Sequence, residues 1–388
     1  MEVYNKSFGM VSDSYTESEI ASQPELWGKL YSEYHSFRKQ LKKYLSNSLN
    51  DSNTRIILTG AGSSAFIGEV LLGTYSSRFN NPVSAVATTD LVTHPELYFN
   101  NKSKYLLISF ARSGNSPESA QAIIVAEKLS YSVSHLIITC NNESELLESV
   151  KSKSKFIFIL PPEANDRGLA MTASFTSMLL AGLLVTRINE EEDDLDGQFS
   201  LLNKYGSRIL NVYSEKLQKA AASDFKRAVF LGSGMLKGIA RESQLKLQEL
   251  TDGKIICKHD SFMGFRHGPK AVLDENTLIV FLFSNNPYAR LYEKDLVLAI
   301  EGTRKPLYSI GVMEHDSFSV NLDLKIVLSD NGMNIQEDFL SAPMVMVAQL
   351  LGLYKSLNLG FDPDSPSESG MIHRVVQGVN IYPYTNVK

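Results

Sequence analysis

Arg55–Ser64 reads RIILTGAGSS: an apolar run, a glycine-rich turn and a pair of serines. An apolar run of this length predicts a buried strand, and the turn after it opens a helix. Similar runs follow at Tyr105–Phe110, His135–Thr139 and Lys155–Leu160, with helical segments between them. Strands that alternate with helices indicate βαβ units and a parallel sheet.

A second set of strands is predicted after the acidic run Glu190–Asp196, which we interpret as a solvated linker or helix surface. Its members are Ala228–Leu231, Thr277–Phe283, Leu307–Val312 and Leu324–Leu328. Gly232 and Gly234 then recur with the spacing of Gly60 and Gly62, directly after a strand. The pattern predicts an α/β chain with two tandem doubly wound, Rossmann-like and flavodoxin-like parallel-sheet domains, related as an internal repeat.

The N-terminal region predicts a helical extension. Apolar residues recur with a 3.6-residue rhythm over residues 15–50, Thr16–Glu19 fits a capping box, and Gln23-Pro24 predicts a break or restart. The predicted organisation is an extension at 1–50, a first domain at 51–195, a second domain at 213–360 and a C-terminal loop and tail at 361–388.

Composition excludes several classes of protein. With 388 residues and a net charge of -5, the chain suits a globular protein and offers no field that would attract nucleic acid or an anionic membrane. Met1–Gly9 is polar, and we expect no apolar stretch near the ~20 residues that span a bilayer. Two cysteines, Cys140 and Cys257, are too few for a disulfide framework, and we interpret them as small buried hydrophobic residues. These features predict a cytoplasmic protein.

Two loops in the first half carry groups that are suited to binding phosphate. Gly62, Ser63 and Ser64 follow the first strand, and Arg112–Glu118, with Ser113 and Ser116, follows another. Helix N-termini at the carboxyl ends of parallel strands bind anions, and hydroxyl and guanidinium donors strengthen the site. A plain helix cap explains either loop alone, whereas the pair favours phosphate.

Nucleotide binding is disfavoured in both halves. Ala65 stands where the third glycine of a dinucleotide fingerprint belongs, no Walker lysine is present, and we predict no cofactor. In the second half, Met235-Leu236 replaces the serine pair and Phe283–Asn285 replaces the Arg-Ser-Gly turn, so this copy is expected to have lost its donors.

The second half carries candidates for proton transfer. Glu242, Lys246 and Glu249 have the spacing that places them on one helix face, where a solvated Glu–Lys pair is the simplest interpretation. His267 lies on the shaped turn Gly264–Lys270 and suits ring opening of a sugar. The alternative, that this histidine has no catalytic role, stays open at this point. No spacing of cysteine and histidine predicts a metal site.

Taken together, these loops resemble the sugar isomerase (SIS) domain family in its double-SIS arrangement. The matching segments are Gly60–Ser64, Arg112–Ser116, Gly168–Thr172, the Glu242/Lys246/Glu249 helix and Arg266–Pro269. Leu58–Gly68, Ser109–Glu118, Gly264–Lys270 and Arg374–Val379 further resemble the AgaS-type galactosamine-6-phosphate deaminase/isomerases.

This resemblance implies roles for individual residues. The phosphate would be held by Ser63, Ser64, Ser113 and Ser116, and the sugar would be lined by Ala170 and Thr172. Glu249 would shuttle the proton between C1 and C2, and His267 would open the ring from a neighbouring subunit. Lys246 and Glu242 match an active-site lysine and glutamate. Where the isomerase half of glucosamine-6-phosphate synthase has serine and glutamine, this chain has Ala111 and Arg112, so phosphate contacts are expected to move onto the arginine.

Two further departures from that enzyme concern the sugar. Its serine in the sugar wall is Met171 here, and its Schiff-base lysine is Gln377, which keeps a substrate-binding role by position. The chain also lacks the amidotransferase domain, so the degradative direction is expected.

The resemblance implies conversion of galactosamine 6-phosphate to tagatose 6-phosphate and ammonia, in a homodimer or higher homo-oligomer with shared active sites. Simple aldose–ketose isomerisation of a hexose 6-phosphate is the alternative. A non-catalytic sugar-phosphate sensor is the third hypothesis, and the presence of both Glu249 and His267 argues against it.

Overall fold

The computed structural model describes residues 11–303, 305–316, 319–330, 332–376 and 378–385. The chain divides into two compact units. The first-sheet unit comprises Lys29–Asn165, Ser174–Glu191 and Ile372–Lys388. The second-sheet unit comprises Met1–Gly28, Asp166–Ala173 and Glu192–Met371.

Helices precede, connect and follow the strands. They are α1 (Tyr15–Ser48), α2 (Ser63–Arg78), α3 (Thr88–Thr93), α4 (Pro117–Leu129), α5 (Glu145–Ser149), α6 (Ala173–Thr186), α7 (Glu192–Arg208), α8 (Ser214–Ala221), α9 (Leu236–Leu250), α10 (Phe262–Phe265), α11 (Pro287–Glu301) and α12 (Ser341–Asn358). A π-helical turn, Ile209–Tyr213, joins α7 to α8. The acidic run Glu190–Asp196 leads into α7, whose first turn contains Glu192, Asp193 and Asp194. Carboxylates at this end of a helix complement its dipole.

The first-sheet unit is built on a parallel sheet in the order β2-β1-β3-β4-β5. Its strands are β1 (Arg55–Thr59), β2 (Val83–Ala85), β3 (Lys104–Ala111), β4 (Ser132–Thr139) and β5 (Lys155–Ile159). Ile57, Leu107 and Ile137 form a core with Leu91 of α3 and Ala122 of α4. The strand order reverses between β1 and β3, and open α/β sheets bind ligands at such a switch point.

The second-sheet unit has a parallel sheet in the order β10-β9-β8-β6-β7, which is the same winding. Its strands are β6 (Arg227–Gly232), β7 (Ile256–Asp260), β8 (Thr277–Leu282), β9 (Tyr308–Met313) and β10 (Leu324–Val327). Val229, Ile279 and Met313 pack with Phe262 of α10 and Val297 of α11. The predicted doubly wound α/β fold is confirmed in both units.

Helix α1 corrects two predictions. Its N-terminal cap is Ser14, whose Oγ accepts from the Glu17 N–H at 3.2 Å, so the cap lies two residues earlier than predicted. Thr16 donates to Asp364 instead. The helix also continues through Pro24. Proline removes the N–H that would bond to the Ile20 carbonyl, and the Gln23 side-chain amide donates to that carbonyl at 3.2 Å instead.

One helical segment is longer and more apolar than we expected from the sequence. Glu337–Asn358, which contains α12, has the length and composition of a membrane span. However, 94% of the 18-residue apolar stretch within this segment is buried inside the protein. The burial identifies α12 as a core helix. Cys140 and Cys257 are half-buried thiols.

Candidate active site

Helix α9 begins directly after β6 and brings three predicted residues into contact. The Lys246 Nζ lies 2.7 Å from Glu249 Oε2 and 3.3 Å from Glu242 Oε1. The side chains of Lys246 and Glu242 are 1% and 0% exposed, whereas that of Glu249 is 24% exposed. The interpretation of these residues as a solvated face is therefore wrong.

The charge state of Lys246 is decided by two opposing effects. Burial alone would lower the pKa of this ammonium group, but the adjacent Glu242 and Glu249 carboxylates outweigh it and the pKa lies above its usual value. The lysine is therefore charged at neutral pH. It donates to Glu249, whose side chain remains partly exposed.

His267 lies on the turn that follows β7 and α10. Ser261 caps α10, with its Oγ accepting from the Gly264 N–H at 2.9 Å. Gly268 has φ of 112°, which favours glycine and turns the chain directly after the histidine. His267 is exposed, and within the described part of the chain its ring makes no hydrogen bond or ion pair, including with the α9 residues.

The first predicted anion loop lies at the carboxyl end of β1. Gly62 has φ of 57°, and Ser63 and Ser64 are buried in the first turn of α2. A side chain at Gly60 would meet Ser64 at 2.6 Å, so glycine is required where the turn closes on the helix.

The second anion loop lies at the neighbouring strand end, because Thr59 of β1 pairs with Ser109 of β3. Arg112 is buried and donates to the Arg374 carbonyl. Ser113 Oγ accepts from the Asn115 N–H at 3.3 Å, and Ser116, the N-cap of α4, makes no side-chain cap bond. The structure thus brings both predicted loops to the switch point of the first sheet.

Two residues that support this loop were not predicted. Asn141 donates from Nδ2 to the Ser113 carbonyl at 2.9 Å. A side chain at Gly114 would meet Ser144 Oγ at 2.5 Å, so Ser144 closes tightly on the turn. Both follow β4, and the position of Asn141 directly after a predicted strand is the signal that could have identified it.

Ala170 and Thr172 lie in the second-sheet unit and are buried. The Thr172 hydroxyl donates to Asp166 Oδ1 at 2.8 Å, and its N–H donates to Asp166 Oδ2 at 2.9 Å. Asp166 was not predicted and holds this loop at the start of α6. Gln377 lies outside the described residues.

Ser284 lies at the switch point of the second sheet and has hydrogen-bond donors. Two carboxylates of the chain, those of Glu293 and Glu337, accept from these donors. The Ser284 N–H donates to Glu293 Oε2 at 3.0 Å, and its hydroxyl donates to Glu337. Burial raises the pKa of Glu293 to about 7. Ser284 is therefore a donor that the prediction did not consider, and both of its donor groups are already used within the chain.

No group of three or more acidic, histidine or cysteine side chains among the described residues is arranged to hold a metal ion.

The chain is similar to known proteins over its whole length. The SIS domain model matches residues 48–187. D-galactosamine-6-phosphate deaminase AgaS of Escherichia coli is 40% identical over 379 residues, which cover 96% of each chain.

Two solved structures share the fold and much of the sequence. A Clostridium novyi NT protein, named provisionally as a tagatose-6-phosphate ketose/aldose isomerase, is 40% identical with a TM-score of 0.92 over 95% of each chain. Tagatose-6-phosphate ketose/aldose isomerase of Escherichia coli is 36% identical with a TM-score of 0.84, covering 96% of this chain and 98% of the other. The chain therefore belongs to the AgaS group of SIS-domain sugar-phosphate enzymes.

Proposed function

We propose that the enzyme converts galactosamine 6-phosphate and water to tagatose 6-phosphate and ammonia. The observation that carries this proposal is the Lys246–Glu249 pair, with a buried ammonium 2.7 Å from a carboxylate that remains partly exposed. A proton shuttle needs a carboxylate that reaches the substrate and is held in one orientation. The full-length similarity to a named deaminase supports the choice of substrate.

The phosphate is assigned to the switch point of the first sheet. Hydroxyl donors to the phosphate come from Ser63, Ser64, Ser113 and Ser116. Gly62 allows the backbone to approach the phosphate, and Arg112 supplies a positive charge. Arg112 already donates to a main-chain carbonyl, so it is held in place before an anion arrives. Ala170, Thr172 and Gln377 are assigned to the sugar.

The chemistry is assigned to α9 and the His267 turn. His267 protonates the ring oxygen while the O1 proton passes to water, which gives the open aldehyde. Glu249 removes the C2 proton and returns it to C1, while O1 gains a proton and the C2 amine loses one, which leaves a hydroxyl group at C1 and an imine at C2. Water adds to the imine carbon, the C–N bond breaks, and ammonia leaves as the C2 ketone forms. Lys246 stays protonated and, with Glu242, holds Glu249 in position.

Simple aldose–ketose isomerisation is the second candidate, because two structural relatives carry that name. It uses the same proton transfer and releases no ammonia. The deciding assay compares ammonia release from galactosamine 6-phosphate with ketose formation from galactose 6-phosphate. Turnover of the second substrate alone would reverse the ranking.

Several properties accompany this proposal. The identical winding of the two sheets supports a duplicated gene segment, with domains at 51–195 and 213–360 between the extension at 1–50 and the tail at 361–388. The exposed His267 suits a homodimer or higher homo-oligomer with shared active sites. Two cysteines in the thiol form and a sugar-phosphate substrate suit the cytoplasm.

A further inference from the structure

The loop Asp166–Ala173 is held by a segment far away in the sequence. The Arg167 N–H donates to the Glu19 carboxylate in α1, and the Leu169 N–H donates to the Asp364 carbonyl at 3.0 Å. These bonds fix Arg167 and Leu169 in a segment that forms no strand or helix before α6 begins at Ala173. Its conformation therefore depends on α1 and on the segment around Asp364.

Asp364 also fixes the start of α1. Its carboxylate accepts from the Tyr15 N–H at 2.8 Å, and from the Thr16 N–H and hydroxyl, each at 2.7 Å. The main chain of the same residue holds Leu169. One aspartate thus joins the first turn of the N-terminal helix to the loop.

Gly168 shows how closely the loop and helix approach. A side chain at this position would meet the Thr16 Oγ1 at 2.6 Å and the Glu19 Oε2 at 3.3 Å. Contacts below 3.0 Å force a displacement. The loop therefore follows the surface of α1 at van der Waals distance.

A second connection reaches the far end of the loop. The Gln23 Nε2 of α1 donates to Gln349 Oε1 at 2.7 Å, and the Gln349 Nε2 donates to the Thr172 carbonyl at 3.3 Å. Gln23 and Gln349 are fully buried. In a buried setting each amide must keep its partner, because an unpaired polar group is costly.

We propose that the first turns of α1, together with Asp364 and Gln349, are positioning elements that set Ala170 and Thr172 for the sugar. This inference rests on the proposed function, because that function assigns these two residues to the sugar. The helical extension is then a working part of the sugar site. It acts through Glu19, Asp364 and the Gln23–Gln349 pair, and none of these residues is assigned a contact with substrate.

Hydrogen exchange tests the structural half of the inference in the full chain. Asp364→Ala removes the acceptor of three donors at the start of α1. We expect faster exchange of the Arg167 and Leu169 amides than in the unmodified protein. Asp13→Ala, which removes an exposed carboxylate beside the same helix, is the matched control and leaves the exchange unchanged. Equal protection in Asp364→Ala and the control would overturn the inference.

Kinetics test the functional half. Gln23→Met keeps the volume of the side chain but removes the donor to Gln349. This variant also provides the test of the inference if Asp364→Ala does not fold. We expect kcat/KM for galactosamine 6-phosphate to fall at least about tenfold, because misplaced groups lose transition-state contacts. Affinity for inorganic phosphate should not change, since the phosphate residues belong to the first-sheet unit.

The two possible failures are distinguishable. Unchanged kcat/KM in an active Gln23→Met enzyme would overturn the inference and leave the proposed function intact. Absence of turnover by the unmodified protein, with galactosamine 6-phosphate and with galactose 6-phosphate, would overturn the proposed function itself.

Discussion

Glu242 and Lys246 lie one turn apart on α9, with Oε1 and Nζ separated by 3.3 Å, and both side chains are withdrawn from solvent. A buried ion pair of this kind contributes little net stability, because desolvation offsets the attraction. Its value here is orientation. The lysine cannot move without breaking its contacts with both carboxylates, so Glu249 is held by a fixed donor.

Lys246→Met should destabilise the protein and abolish turnover. Removal of one partner of a buried ion pair typically costs about 3–5 kcal/mol, because the remaining charge is uncompensated. Thermal unfolding and the ammonia assay measure the two effects. Lys219→Met is the matched control, since its partner Glu215 is at the same i,i+4 spacing on an exposed face of α8. Equal melting temperatures for the two variants would contradict this account of α9.

Ser64→Ala should weaken substrate binding more than it slows the chemistry. A hydrogen bond to a charged group contributes about 1.5–3 kcal/mol, so KM is expected to rise by roughly 10- to 100-fold. The turnover number at saturation should stay close to normal. Ser77→Ala removes a hydroxyl from the last turn of the same helix and is expected to leave KM unchanged. A normal KM for the Ser64→Ala enzyme would contradict the assignment of the substrate phosphate to this loop.

Glu293→Gln should change how stability depends on pH. The folded pKa of Glu293 is about 7, above the 4.5 of an unperturbed glutamate. The native state therefore binds the proton more tightly, and this group's contribution to stability falls as pH rises from about 4.5 to about 7. The melting temperature of the variant relative to the unmodified protein should rise across that window.

The comparison isolates Glu293, although Glu19 also has a pKa raised to about 7 by burial and by the charge of Asp166. Glu19 is present in both proteins, so its effect cancels in the difference. A difference in melting temperature that stays constant from about pH 4.5 to 8 would contradict the assignment.

The central strands and the edge strands β5 and β10 were predictable from sequence, whereas the edge strands β2 and β7 were not. Buried runs such as Arg55–Thr59 carry continuous apolar sequence, which is the signature of a strand covered on both faces. Val83–Ala85 is three residues long, and Ile256–Asp260 is largely polar, as expected at the edges of sheets. Neither carries enough apolar sequence to be recognised.

The start of α1 shows why local patterns can be ambiguous. Ser14 with Glu17 and Thr16 with Glu19 both match the capping-box spacing. Asp364, distant in sequence, accepts from Thr16 and so decides between them. The α9 cluster was predictable as a helix face, but its burial was not, because only the fold determines what covers that face.

The most direct test of the account is the Glu249→Gln variant with galactosamine 6-phosphate. The amide oxygen can still accept from Lys246, so the fold and the affinity for sugar phosphate should be kept within a few-fold. Ammonia release should fall by about 10²-fold or more, as expected for loss of a general base. Unchanged ammonia release in a correctly folded Glu249→Gln enzyme would contradict the assignment of α9 as the source of the proton shuttle.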